Sequence, residues 1–244
     1  MLTQLTQDII YQYNWYQVWG LTIAWFLFLY FPLGYFFLRT CRRLHRKGVL
    51  TKISNRPPFP GQITYELKHS FLSIVIFGIT ALPLVWLLRH GAIQVLPDSP
   101  ANVLYSVVVL TLWNEVHFFM IHRLMHTGWF MRHIHHVHHR SHTPTPWSVF
   151  SFHPLEAFLL STLPLTIAPW LPLAPLGILL FPLVSIILNF AGHSNYCFGN
   201  GKTGAWLGFS SRHAGHHTGT SRSYGFALLL PDLIWNKLFN HKNH

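Results

Sequence analysis

The chain has 244 residues, of which 50% are hydrophobic, 16% aromatic and only 9% charged. Soluble domains carry about 25% charged residues, so the composition excludes an ordinary soluble fold and indicates a protein of the bilayer. The net charge of +11 does not point to nucleic acid, because the cations cluster in segments between apolar runs, as membrane proteins keep them on the cytoplasmic side.

The opening MLTQLTQD lacks the basic region of a cleaved leader, so the first span is expected to stay as an anchor. A bilayer core needs about 20 apolar residues in a helix, and Val18 to Leu38 meets that length. The basic run from Arg39 to Lys52 follows it as a cytoplasmic loop, and SNRPPFPGQ, from Ser54 to Gln62, reads as a connector. Ser70 to Leu88, kinked at Pro83, and Ala101 to Met120 are further spans.

Leu155 to Phe190 contains no Lys or Arg and is broken by Pro164, Pro169, Pro172, Pro175 and Pro182, which predicts a hairpin of short or kinked helices. Placing Arg39 to Lys52 in the cytoplasm puts Asp8, Arg89 and Asp98 outside and the histidine-rich half inside. The expected fold is therefore all-α: a multi-pass transmembrane helical bundle of about three full spans plus a helical hairpin, with a cytoplasmic histidine-rich helical cap. Cys41 and Cys197 are too few and too far apart for a disulfide framework or a thiolate zinc site.

HRLMHTGWFMRHIHHVHHR, residues 122 to 140, holds seven of the 19 histidines. His122 and His126 form HxxxH on one face of a helix that continues the third span. His135, His138 and His139 form HxxHH, whose adjacent members splay by about 100° and so can serve two metals. His213, His216 and His217 repeat that motif, and His193 falls where the hairpin returns to the cytoplasmic side. Nine imidazoles in four groups suffice for two metals of four or five ligands each. Neutral imidazole suits iron, zinc, copper and nickel alike. A zinc hydrolase needs a carboxylate base beside the metal, and HExxH is absent; the nearest segment is HPLE, from His153 to Glu156. A metal sensor or transporter is the other alternative, though the spans hold almost no ionisable groups apart from Glu115 and His117.

The order HxxxH, HxxHH, single histidine, HxxHH resembles the fatty acid hydroxylase and sterol desaturase superfamily of integral-membrane di-iron enzymes. HRLMH is similar to its first box, HIHHVHHRSHTPTPWSVFSFHPLEA to its second with the PTP and FHP elements, and HAGHHTGTSRSYGFALLLPDLIWNKLF to its third. The resemblance covers roughly residues 62 to 239 and implies that His122, His126, His135, His138, His139, His193, His213, His216 and His217 are the metal ligands. Larger members have a fuller third group; here Cys197 stands four residues after His193, which leaves one metal short of a ligand or completed by water. His117 and His153 are candidates for orienting ligands from behind, and Asn195 for holding a water near the metals.

The resemblance further implies two iron ions, dioxygen as co-substrate, and hydroxylation or desaturation of a membrane lipid of sterol, fatty acid or sphingolipid type. Electrons are expected from a separate carrier, cytochrome b5 or ferredoxin with an NAD(P)H reductase, because the chain shows neither a haem segment nor GxGxxG. On this reading residues 1–69 are a transmembrane anchor with a basic cytoplasmic loop, and residues 70–244 a membrane-embedded di-metal hydroxylase or desaturase-like domain. The compact size points to a bacterial inner membrane before the endoplasmic reticulum.

Overall fold

A computed structural model describes residues 2–198, 208–217 and 223–239. The tail HKNH, with His241 and His244, and residues 218–222 of the third box-like segment lie outside the described residues. The helices are α1 (Leu2–Tyr11), α2 (Trp15–Arg46), α3 (Gln62–Arg89), α4 (Pro100–Met125), α5 (Gly128–Phe130), α6 (His136–His139), α7 (Pro154–Ser161), α8 (Leu163–Ile167), α9 (Pro175–Gly192), α10 (Phe209–His217) and α11 (Leu230–Phe239). A π-helical turn, Met131–His135, joins α5 to α6, and two-residue strands β1 (Thr51–Lys52) and β2 (Tyr196–Cys197) pair antiparallel.

Among the described residues four helices, α2, α3, α4 and α9, are long and apolar enough to cross a membrane. The hairpin thus differs from the one expected. Its outward arm is the two short helices α7 and α8, and its return arm α9 is a candidate span in itself. Prolines explain the asymmetry. Pro164 and Pro175 stand in first turns, where a missing N–H costs nothing, and only Pro182 interrupts α9 from within.

Two spans also run beyond their apolar stretches. α2 continues to Arg46, so most of the basic run is helix and not loop, and its cations lie at the negative end of the helix dipole. α3 begins at Gln62 and passes through the 69/70 boundary.

One end of the bundle is identified by its contacts. β1, after α2, pairs with β2, after α9. At the start of α3, Gln62 donates to Thr143 O at 2.9 Å, while Glu66 accepts from Gln62 at 2.6 Å, from Ser141 at 2.8 Å and from Thr145. At the other end Arg89 donates to the carbonyls of Ile9, Ile10 and Tyr13, closing the C-terminus of α1. Asp98 there accepts from Thr6 Oγ1 and Leu176 N, each at 2.9 Å.

Between the ends lie two apolar clusters, Leu29, Tyr30, Ile74, Phe77, Phe150 and Phe190 in one and Leu84, Leu88, Leu110, Leu163 and Phe181 in the other. In the membrane such spans associate by close packing more than by hydrophobic burial. Gly177 shows how close: a Cβ built there would come 2.4 Å from Ser106 Cβ, so α9 approaches α4 almost backbone to backbone.

Candidate metal centre

All four histidine groups reach the basic end of the bundle. His122 stands in the last turn of α4 and His126 caps its C-terminus. His135 closes the π turn, and His138 and His139 follow in α6. A π turn widens the helix by one residue per bond and recurs at functional sites. His193 caps the C-terminus of α9, and His213, His216 and His217 lie along α10.

The nine imidazoles fall into two groups, His122, His126, His135, His139 and His216 in the first, and His138, His193, His213 and His217 in the second. Within each group one nitrogen per residue lies within 4.8 Å of all the others. Both HxxHH motifs are divided between the groups: the rings of the adjacent His138 and His139 stand at 89° to one another. The first group has five members and the second four.

Hydrogen bonds behind the rings set their tautomers. Oxygen acceptors face Nδ1 of His122 (Tyr224 O, 2.9 Å), His193 (Asn189 O, 3.0 Å), His138 (Ser151 O, 3.4 Å) and His135 (Glu156 Oε1, 2.8 Å). The three Nδ1 atoms that face carbonyls therefore carry the proton and their Nε2 atoms keep the lone pair, and an ionised Glu156 would fix His135 in the same way. Those lone pairs converge. His193 Nε2 faces His138 Nε2 at 3.3 Å and His213 Nε2 at 3.0 Å, and His135 Nε2 faces His126 Nε2 at 3.1 Å. In the His138–His193 pair both Nδ1 atoms face carbonyls, so two unprotonated Nε2 atoms stand 3.3 Å apart and repel unless a cation lies between them. His139 Nε2 is buried without any protein partner. Two nitrogens that share one ion at about 2.1 Å lie roughly 3 to 4 Å apart, so the donor set fits transition-metal ions.

Burial keeps the rings neutral. It pushes His126 and His193 down to about 4 and His139 to about 2. His135, His138, His213 and His217 fall well below the usual histidine range, first through burial and then through neighbouring imidazoles. Neutral imidazole is the form that coordinates a metal.

The other candidates occupy different positions. His117 Nε2 lies 3.3 Å from Thr162 Oγ1, and His153 Nδ1 accepts from Leu155 N at 3.2 Å as the N-cap of α7. Asn195, with φ 58, bonds Ser54 N and Ser54 O through its amide, each at 2.9 Å, and so fastens the α2–α3 connector. The residues that do brace the rings include one that motif reading weighed only as a hydrolase base, Glu156. Two further carboxylates brace them indirectly. Glu115 accepts from Ala227 N and Leu228 N at 3.0 to 3.1 Å, and Asp232 from Tyr224 N at 3.0 Å and Gly225 N at 2.9 Å, which fixes the carbonyl that His122 uses. His133, His136 and His142 are exposed.

A cavity of about 280 Å³ runs inside the bundle from Thr6 and Ile10 at the far end, past Trp25 and Phe77, to Phe118 and Phe152. The last two rings stand 4.9 Å from His122 and His138. The walls are mostly apolar.

Fold and site together define a multi-pass helical membrane protein with two groups of largely buried histidines, each able to hold a metal ion, beside an apolar cavity. Residues 107–240, more than half of the chain, match the family model for fatty acid hydroxylase, and the chain belongs to that family. Among curated proteins it is 30% identical over 117 residues to a Delta(7)-sterol 5(6)-desaturase of Aspergillus fumigatus, covering 45% of this chain and 36% of that protein. It is 28% identical over 115 residues to lathosterol oxidase of Rattus norvegicus, covering 45% and 38%, and 26% identical over 146 residues to a Delta(7)-sterol 5(6)-desaturase of Candida dubliniensis, covering 57% and 37%. The chain thus spans little more than a third of the length of these relatives. No solved structure matches it significantly.

Proposed function

We propose that the chain is a membrane oxidoreductase that hydroxylates or desaturates a lipid at two irons held by the nine histidines. The observation that carries this reading is the convergence of Nε2 atoms, at 3.0 to 3.3 Å, in two adjoining groups beside an apolar cavity. His122, His126, His135, His139 and His216 would hold one ion, and His138, His193, His213 and His217 the other. When bound, the ions supply the redox chemistry with dioxygen that breaks an unactivated C–H bond.

The chain's own residues do the rest. Phe118 and Phe152 line the cavity beside the imidazoles, exclude water and position an alkyl chain or ring. Glu156, the Tyr224 carbonyl and the Asn189 carbonyl hold protons on Nδ1 so that Nε2 stays free to coordinate. By the positive-inside rule the histidine end, which carries Arg39 to Arg46, faces the cytoplasm. There a separate carrier, cytochrome b5 or ferredoxin with its NAD(P)H reductase, delivers electrons. Residues 70–244 form the metal-binding unit and residues 1–69 anchor it. The relatives reported above are eukaryotic, and lend no support to the expectation of a bacterial inner membrane.

The test compares lipid extracts by mass spectrometry from cells expressing the wild type and His138→Ala. A lipid that gains one oxygen or loses two hydrogens only with the wild type is the expected result. Identical extracts from the two strains would instead favour a metal sensor.

A further inference from the structure

Arg123 follows His122 on α4 and has no role in the centre described so far. Its guanidinium lies over the Trp235 ring at 3.9 Å from the centroid, with Tyr224 at 5.2 Å and Phe119 at 5.9 Å. Among the described residues no carboxylate pairs with it and no oxygen accepts from it; the one ion pair there is His135 with Glu156. Stacking engages the face of a guanidinium and leaves its edge, with five N–H donors, available.

Arg123 lines a second cavity, of about 420 Å³, whose wall also includes His126, Tyr224 and Trp235. Met120, Leu124 and Thr127 complete that wall and are exposed, the first two on α4, a candidate span, and the third just past its end. Beside it α11 exposes Leu233, Ile234 and Leu238. One side of the cavity is thus continuous with the lipid-facing surface, and the other is a candidate metal ligand.

We propose that this cavity is the head-group site for a single-chain lipid bearing a phosphate or carboxylate. Arg123 donates paired N–H bonds to the oxyanion at the membrane edge, and the first carbons of the chain lie beside His126. The inference deepens the lipid reading above and rests on it. An oxyanion is the preferred occupant because charge-assisted, bidentate bonds to guanidinium are roughly twice as strong as neutral ones. The aromatic rings already fix the planar group, so little rotational freedom is lost on binding.

The test measures binding to the metal-loaded protein in phosphatidylcholine nanodiscs, with empty nanodiscs as the partition control. The probes are hexadecyl phosphate, hexadecanol and inorganic phosphate. Wild type is expected to bind hexadecyl phosphate about tenfold more tightly than hexadecanol. Arg123→Gln should lose that preference while still binding hexadecanol, and Arg123→Lys should keep part of it. Equal affinity of the wild type for the two hexadecyl probes overturns the head-group site and leaves the lipid reading standing. So does an unchanged preference in Arg123→Gln. Inorganic phosphate that binds as tightly as hexadecyl phosphate overturns it in favour of a free-anion site. Failure of both hexadecyl probes to bind the wild type overturns this single-chain site and leaves a ring-bearing lipid for the reading above.

Discussion

Glu156 offers the sharpest test of the centre, because its effects on metal affinity and on folding can be measured separately. Its Oε1 accepts from His135 Nδ1 at 2.8 Å, whereas its buried Oε2 has no partner. Glu156→Gln retains the shape and an oxygen acceptor for His135, but it puts a buried NH2 where Oε2 has no partner, so apo-protein stability should fall by about 1 to 3 kcal/mol. What is lost is the anionic partner that, with an ion bound, would make His135 Nε2 a stronger donor. Removing such a partner typically weakens metal binding roughly 10- to 100-fold, or about 1.4 to 2.8 kcal/mol. Glu156→Leu removes the acceptor as well, strands a buried N–H, and should also destabilise the apo-protein by about 1 to 3 kcal/mol. The assay is iron per chain by elemental mass spectrometry after equilibration with graded chelator, alongside thermal unfolding in detergent. If Glu156→Gln retains iron within about twofold of wild type, then His135 is not a ligand tuned by that carboxylate.

Gly177→Ala should unfold at lower temperature, since the new methyl meets Ser106 Cβ at 2.4 Å. Overpacking of this kind costs about 1 to 3 kcal/mol, and an unchanged melting temperature would show that α4 and α9 can separate freely. The metal-free protein should also lose stability as pH falls. His126 and His193 are lowered from 6.5 to about 4 by burial, so between those values the unfolded chain binds more protons than the folded one. The stabilisation is therefore complete above pH about 6.5 and is lost on descending toward about 4. Melting temperatures measured on metal-free protein that stay flat from about pH 7 to about pH 5 contradict this.

The spans and the nine histidines were legible because both are written in residue type and spacing. An apolar run of about 20 residues has few alternatives, and HxxxH and HxxHH place imidazoles on defined helix faces. What was not legible depends on backbone atoms or distant partners. The carbonyls of Tyr224, Asn189 and Ser151 orient three rings, and a carbonyl has no signature in sequence. Glu156 stands 21 residues from His135, at a spacing no motif encodes. The scarcity of acids was the one available signal, since only six occur in the chain. Four of those six, Glu66, Glu115, Glu156 and Asp232, brace the centre or the segments that carry it. The π turn before His135 was equally hidden, because it differs from an α turn only in which carbonyl each N–H selects.

The location of the histidines also explains how the fold tolerates them. Each buried acceptor left without a donor costs about 1 to 3 kcal/mol, and a domain has only about 5 to 15 kcal/mol of net stability. A fold whose core was built from these rings would not survive without metal. Here the apolar clusters, Leu29, Ile74 and Phe190 in one and Leu84, Leu110 and Phe181 in the other, lie along the spans, while the imidazoles stand at helix ends beyond them. The spans can therefore bear the repulsion between the facing Nε2 atoms of His138 and His193 and hold the donor set at 3.0 to 3.3 Å before any ion arrives. That is preorganisation: the unfavourable arrangement of the donors is met by packing elsewhere, and the binding of a cation relieves it without moving the scaffold.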